Sequence, residues 1–130
     1  MQTDPRLTPR RGWAMPIPMA IYKILRTDEW QSLLHHGETA GAPIDVTDGY
    51  VHFSTAAQCL ETANKHFADA TGLWVLAVDD TRLAPDLKWE PSRGGQLFPH
   101  LYRPLRLSDL LWARPMGAGA TGHALPDGVA

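Results

Sequence analysis

Gly49-Tyr50-Val51-His52-Phe53-Ser54-Thr55-Ala56-Ala57-Gln58 is the stretch whose pattern decides the fold. Residues 50–54 alternate apolar and polar, the two-residue period of a half-buried strand. Val51 and Phe53 face one side, and His52 and Ser54 face the other. Thr55 and Gln58 stand as Thr-x-x-Gln, a capping box in which each side chain satisfies a backbone donor of the other. Strand therefore runs straight into helix. The junction gathers an imidazole, a hydroxyl and the free N–H groups of a first helical turn, a set that suits an anionic or sugar-hydroxyl ligand. A satisfied, half-buried histidine beside a backbone-bonded serine fits the same spacing, and Thr55 and Gln58 are assigned to the cap.

Downstream, the helix opened by Thr55 sets Leu60, Ala63 and Phe67 on one face at i, i+3 and i+7. Leu73-Trp74-Val75-Leu76-Ala77-Val78 is a nearly continuous apolar strand, as expected at the centre of a sheet. Leu87-Lys88-Trp89-Glu90 is a short strand stopped by Pro91, and a glycine-bearing loop, residues 92–96, leads to Phe98-Pro99-His100-Leu101-Tyr102. A last regular piece from Leu105 to Ala113 closes the sheet. Upstream, Ala20-Ile21-Tyr22-Lys23-Ile24-Leu25 is the first strand. Thr27 reads as a helix N-cap, with Asp28 and Glu29 favourable against the dipole and Gly37 at the left-handed end. Residues 41–49 read as loop. Two main helices, with strands out of strict βαβ alternation, place the chain in the α+β class.

The 130 residues fit one domain and are 44% hydrophobic and 20% charged, an ordinary globular mixture. Four prolines and no apolar period mark residues 1–18 as a disordered arm. The globular unit is residues 19–116, and 117–130, small and glycine-rich at its start, reads as a flexible tail. A net charge of −2 argues against a general nucleic-acid binder. A single cysteine, Cys59, forbids an internal disulfide and a thiolate-rich metal site; mid-helix, it reads as a small buried hydrophobe. No apolar run reaches a bilayer span and no signal peptide is legible, so the expected location is cytoplasmic.

Further candidates for chemistry follow. Glu90, between Trp89 and Pro91, is expected to be partly desolvated, with a raised pKa suited to acid–base work. His100 and Tyr102 share one side of an extended segment, and Arg93 with Gly94-Gly95 can approach a phosphate. A metal site of His52, His100 and Glu90 is chemically permissible, but no pair among them stands at an internal metal-binding spacing, so no metal is assigned.

Ile21-Tyr22-Lys23, Trp30, Asp48 through Gln58, Trp89-Glu90 and Phe98-Pro99-His100-Leu101-Tyr102, in that order, closely resemble the bacterial family catalogued as domain of unknown function 952. The resemblance covers about residues 20–114 and implies a compact ADP-ribosyltransferase-like fold, a split, bent sheet holding a nicotinamide-dinucleotide cleft. It implies that His52 and Ser54 grip a sugar and that Glu90 polarises a ribose hydroxyl, making Glu90 and His52 the catalytic candidates. Arg93, His100 and Tyr102 then line the phosphate side. Glu90 in Trp89-Glu90-Pro91 departs from the usual setting of that glutamate. The leading expectation is an enzyme of the ADP-ribosyl-transfer type, intact or degenerate, acting on a nicotinamide dinucleotide such as NAD or on a ribose phosphate. The alternatives are a non-catalytic nucleotide-binding module in the same cleft, or a protein-interaction domain presenting Trp30, Trp74, Trp89 and Trp112.

Overall fold

The computed structural model describes residues 3–6, 10–13, 19–119 and 122–129, with the backbone alone at 3–6, 10–13 and 93. Strands β1 (Thr3–Arg6) and β2 (Arg10–Trp13) pair with each other in parallel. The remainder of the expected arm lies outside the described residues.

Strand β3 (Ala20–Arg26) is buried along Ile21 to Leu25, which accounts for its apolar run. It pairs antiparallel with the central strand β6 (Leu73–Asp79), whose other neighbour is β10 (Leu110–Pro115). Because β6 is covered on both faces, its sequence shows no polar alternation. A second antiparallel sheet runs β5-β8-β7, from β5 (Val51–His52), β8 (Leu97–Leu101) and β7 (Leu87–Pro91). The sheets meet at one bridge, where Ser54 and Tyr22 exchange N–H···O bonds of 2.9 and 2.8 Å. One residue earlier, Phe53 N still donates to Pro99 O at 2.9 Å. The quoted strand therefore hands over from one sheet to the other within two residues. A two-residue pair, β4 (Glu38–Thr39) with β9 (Leu105–Arg106), covers the remaining side.

Helix α1 (Thr27–His36) ends at Gly37 with φ 80°, the left-handed cap expected of that glycine. Its N-cap is Arg26 rather than Thr27: Glu29 reaches back to accept from Arg26 N at 2.9 Å, while the Thr27 hydroxyl donates instead to Gly72 O. Residues 43–48, expected as loop, form a short helix α2 (Pro43–Asp48), with proline in the first turn and Gly49 as a left-handed C-cap. Six residues leave no room for an amphipathic period, so only the end signals mark it. Helix α3 (Ala56–His66) is capped as its sequence dictates, with Thr55 and Gln58 exchanging bonds of 3.0 and 3.3 Å. Its buried face is Cys59 and Ala63, whereas Leu60 is 37% exposed, one position round from expectation. A further single turn, α4 (Asp80–Leu83), follows β6.

One apolar cluster joins Ile21, Leu25, Leu33, Val51, Phe53 and Leu101 between the sheets and α1. Another sets Tyr22, Ile24, Val75 and Ala77 against Cys59 and Ala63 of α3. Burial pushes the Cys59 thiol up to about 12, which fits an inert core residue. Trp30 stacks on Trp74 at 5.3 Å and packs against the first cluster, and Trp112 packs against the second. These rings pack against the core, which leaves Trp89 alone of the four as an exposed ring and counts against the aromatic patch of the interaction-domain alternative.

Residues 117–130, expected as a flexible tail, carry the hairpin β11 (Gly117–Gly119) and β12 (Gly122–Ala124) laid against α3. His123 bonds Phe67 O at 2.7 Å through its ring and Asn64 Oδ1 at 3.1 Å through its amide. Leu125 and Val129 add apolar contact with the second cluster. Small residues at the start of the segment suit this close approach as well as they suit disorder. Among the described residues, no helix is long and apolar enough to cross a membrane.

Candidate functional site

Where the two sheets part beyond the Tyr22–Ser54 bridge, they leave a cavity of about 770 Å³. It is lined from β3, from residues 52–54, from β8 and from both α2 and α3. Several neighbouring polar residues shape it, and each is set by a specific local cause.

Asp45 is the hub. It occupies the third position of α2, where a carboxylate favours the helix N-terminus, and it accepts from Ala42 N at 2.7 Å. Its Oδ2 also meets the Lys23 ammonium at 2.6 Å, and its Oδ1 accepts from His52 N at 3.0 Å and meets His52 Nδ1 at 2.5 Å. Both Asp45 and Lys23 are buried. Burial alone would raise the Asp45 pKa, but the hydrogen bonds from His52 and the charge of Lys23 win and hold it at about 2. For Lys23 burial dominates: it lowers the ammonium's pKa, and Asp45 restores only part of it.

Gly41 completes the packing around Asp45. Its φ is +97°, and a Cβ there would lie 2.1 Å from Asp45 Oδ2, so only glycine fits this backbone beside the carboxylate.

His52 has a second carboxylate, with Nε2 3.0 Å from Asp48 Oδ2. Both ring nitrogens thus face oxygens that accept and cannot donate. Across the sheet, His52 is paired in register with His100, and their rings lie edge to face at 5.3 Å. Tyr50 stacks on His100 at 4.2 Å and touches His52 and Tyr102 as well.

His100 Nδ1 stands 2.8 Å from Glu90 Oε1, to which the Tyr102 hydroxyl also donates at 2.6 Å. The other ring nitrogen, Nε2, is buried and has no hydrogen-bond partner. Glu90 is partly exposed, and the bonds from Tyr102 and then His100 hold its pKa below the usual carboxylate value. That corrects the expected desolvated, proton-holding acid: the flanking Trp89 and Pro91 do not bury it, and two donors favour its charged form. The same carboxylate pushes the Tyr102 phenol up to about 12.

The structure brings His52, Ser54 and His100 together on the cavity wall. Ser54 is buried and shares a 3.0 Å hydroxyl bond with Thr62 of α3. Glu90 is joined to the site through His100 rather than through the lining itself. Tyr102 is exposed and lines a separate hollow of about 240 Å³ with Tyr50 and Arg103. The Arg93 side chain lies outside the described residues.

Lys23, Asp45, Asp48 and Tyr50 were not singled out from sequence. A lysine inside Ile21-Tyr22-Lys23-Ile24-Leu25 was the available signal for the first, because a buried charge in an apolar strand needs a partner. Among the described residues, no group of three or more His, Cys, Asp or Glu is placed to hold a metal ion.

Comparison with known proteins shows the family and supports the fold. The family described as "Protein of unknown function (DUF952)" matches residues 24–113. Protein CC0527 from Caulobacter crescentus, solved by X-ray crystallography, is 44% identical, over 79% of this chain and 90% of its own, with a TM-score of 0.76. The solution NMR structure of the same protein gives 43% identity over 80% and 90%, with a TM-score of 0.72. No curated protein matches the chain. With a match that runs from within β3 to within β10 and takes in α1, α2, α3 and the polar cluster apart from Lys23, the chain belongs to the DUF952 family.

Proposed function

We propose that the chain binds a small phosphorylated ribose or nucleotide in the cavity between its two sheets. The cavity carries the proposal: its volume lies within the roughly 300–1,000 Å³ usual for small-molecule sites, and it joins apolar walls to a few convergent polar groups. Phe53, Phe67 and Phe98 offer surface to a base or a sugar face, and Arg26 and Lys65 supply cationic charge for a phosphate. His100 and Ser54 present a ring nitrogen and a hydroxyl of the kind that orient sugar hydroxyls. Two three-stranded antiparallel sheets bridged at one residue are consistent with the ADP-ribosyltransferase-like arrangement and favour a dinucleotide such as NAD among the candidate ligands.

The test is a thermal-denaturation series with NAD, ADP-ribose, ribose 5-phosphate and inorganic phosphate. A ligand that binds only the native chain adds about 2.7 kcal/mol at a hundred times its Kd. Failure of all four to shift the transition at millimolar concentration removes this function.

A catalytic form of the same proposal draws on the Glu90–His100 pair, which resembles an oriented general base. In it, Glu90 acts through His100 and does not touch the ribose. Release of nicotinamide from NAD by the wild-type chain separates enzyme from binding module. Loss of that release in Glu90→Gln beyond any loss of NAD affinity assigns the step to the pair.

A further inference from the structure

On the cavity wall, His100 carries a buried ring nitrogen that no group among the described residues satisfies. The side chain is 3% exposed, and Nε2 is the buried side-chain polar atom without a partner among the described residues. Buried polar atoms nearly always have partners, because leaving one unmet costs about 1–3 kcal/mol. The other nitrogen is fixed: Nδ1 faces Glu90 Oε1 at 2.8 Å, and a carboxylate can only accept, so Nδ1 carries the hydrogen. The ring cannot turn away, since Tyr50 stacks on it at 4.2 Å and His52 meets it edge-on at 5.3 Å. A neutral ring held this way has a bare Nε2, and it avoids burying a charge on a wall that already holds the Lys23–Asp45 pair.

We infer that His100 is the specificity-determining acceptor of the site, a neutral Nδ1–H tautomer whose bare Nε2 receives an O–H or N–H from the bound ligand. Glu90 is its positioning residue, fixing the tautomer and the ring angle, and Tyr102 steadies Glu90 from the far side. The assignment deepens the proposed binding of a ribose phosphate and rests on that function. It distinguishes the two histidines of the cavity. His52 is spoken for at both nitrogens by Asp45 and Asp48, whereas His100 has one nitrogen left for a ligand.

Two substitutions separate the roles of the ring nitrogens. His100→Asn places an amide near Nδ1, keeping a donor for Glu90 while deleting the acceptor at Nε2. His100→Gln reaches the Nε2 position and restores an acceptor there. Calorimetric titration with ribose 5-phosphate is expected to show affinity reduced roughly 5- to 100-fold in His100→Asn, with much of the loss recovered in His100→Gln. Ring nitrogen NMR of the free wild-type chain is expected to show hydrogen on Nδ1 and none on Nε2. In Glu90→Gln the two tautomers should mix. Equal affinity of wild type and His100→Asn overturns the assignment, as does hydrogen on Nε2 of the free protein. Failure of the wild type to bind ribose 5-phosphate counts against the ligand class, and the tautomer measurement still decides the state of His100.

Discussion

Replacing Asp45 with alanine is the most informative single perturbation of the fold, because that carboxylate joins four groups from three segments. Its removal strands the Lys23 ammonium, which is 5% exposed, and frees the amides of Ala42 and His52. Breaking a buried ion pair from one side costs about 3–5 kcal/mol. Each amide left short of a partner adds on the order of 1 kcal/mol, less where water reaches it. The expected cost is about 4–7 kcal/mol, a large share of the roughly 5–15 kcal/mol that stabilises an ordinary domain. Urea denaturation measures it, and an unchanged m-value would show that the native and unfolded ensembles keep their exposure. Lys23→Met removes the stranded charge, so the double variant should lose at least about 2 kcal/mol less than the sum of the two single losses. A cost below about 1 kcal/mol for Asp45→Ala, or strict additivity in the cycle, would refute the role given to this pair.

Three further outcomes test the local physics. Asp45 titrates at about 2 in the folded chain against an ordinary 3.8, so its lowered pKa stabilises the fold above pH 4. About 2 kcal/mol is then lost as pH falls from 4 through 2, and an acid-denaturation series on wild type and Asp45→Asn should show that loss only in the wild type. Thr55→Ala, which deletes the side-chain acceptor of the α3 cap, should cost about 1 kcal/mol in chemical denaturation. Gly41→Ala should cost clearly more than Gly37→Ala: both have positive φ, but only at Gly41 does a Cβ meet Asp45, and about 1–2 kcal/mol is expected at Gly37 alone.

What the sequence made legible was local. Residues 50–58 carry a strand period followed by a capping box, and both signals are satisfied within the segment itself. The central place of β6 followed from its unbroken apolar run, and the end of α1 from Gly37. The facing of His52 and Ser54 away from Val51 and Phe53 needed only strand alternation, and it carried the candidate site most of the way. His100 came to that wall because β8 pairs with β5 in register, a contact across 48 residues that no local pattern encodes. Asp45 was missed for a related reason. Its meaning lies in Lys23, 22 residues away, and in a helix too short to show a period. At Glu90 the composition around the carboxylate pointed to burial, while its protonation is set by Tyr102 and His100 on the facing strand and just beyond it. The tail shows the limit of composition: Leu125 and Val129 supply the anchoring that the glycines do not.

Backbone and side-chain NMR titration with ribose 5-phosphate and with NAD tests the central claim most directly, because it reports binding and place together. Saturable shifts are expected at Lys23, Arg26, His52, Ser54 and His100, around the cavity where the sheets part. Shifts clustered on the far side of the molecule, or none at millimolar ligand, would contradict that claim.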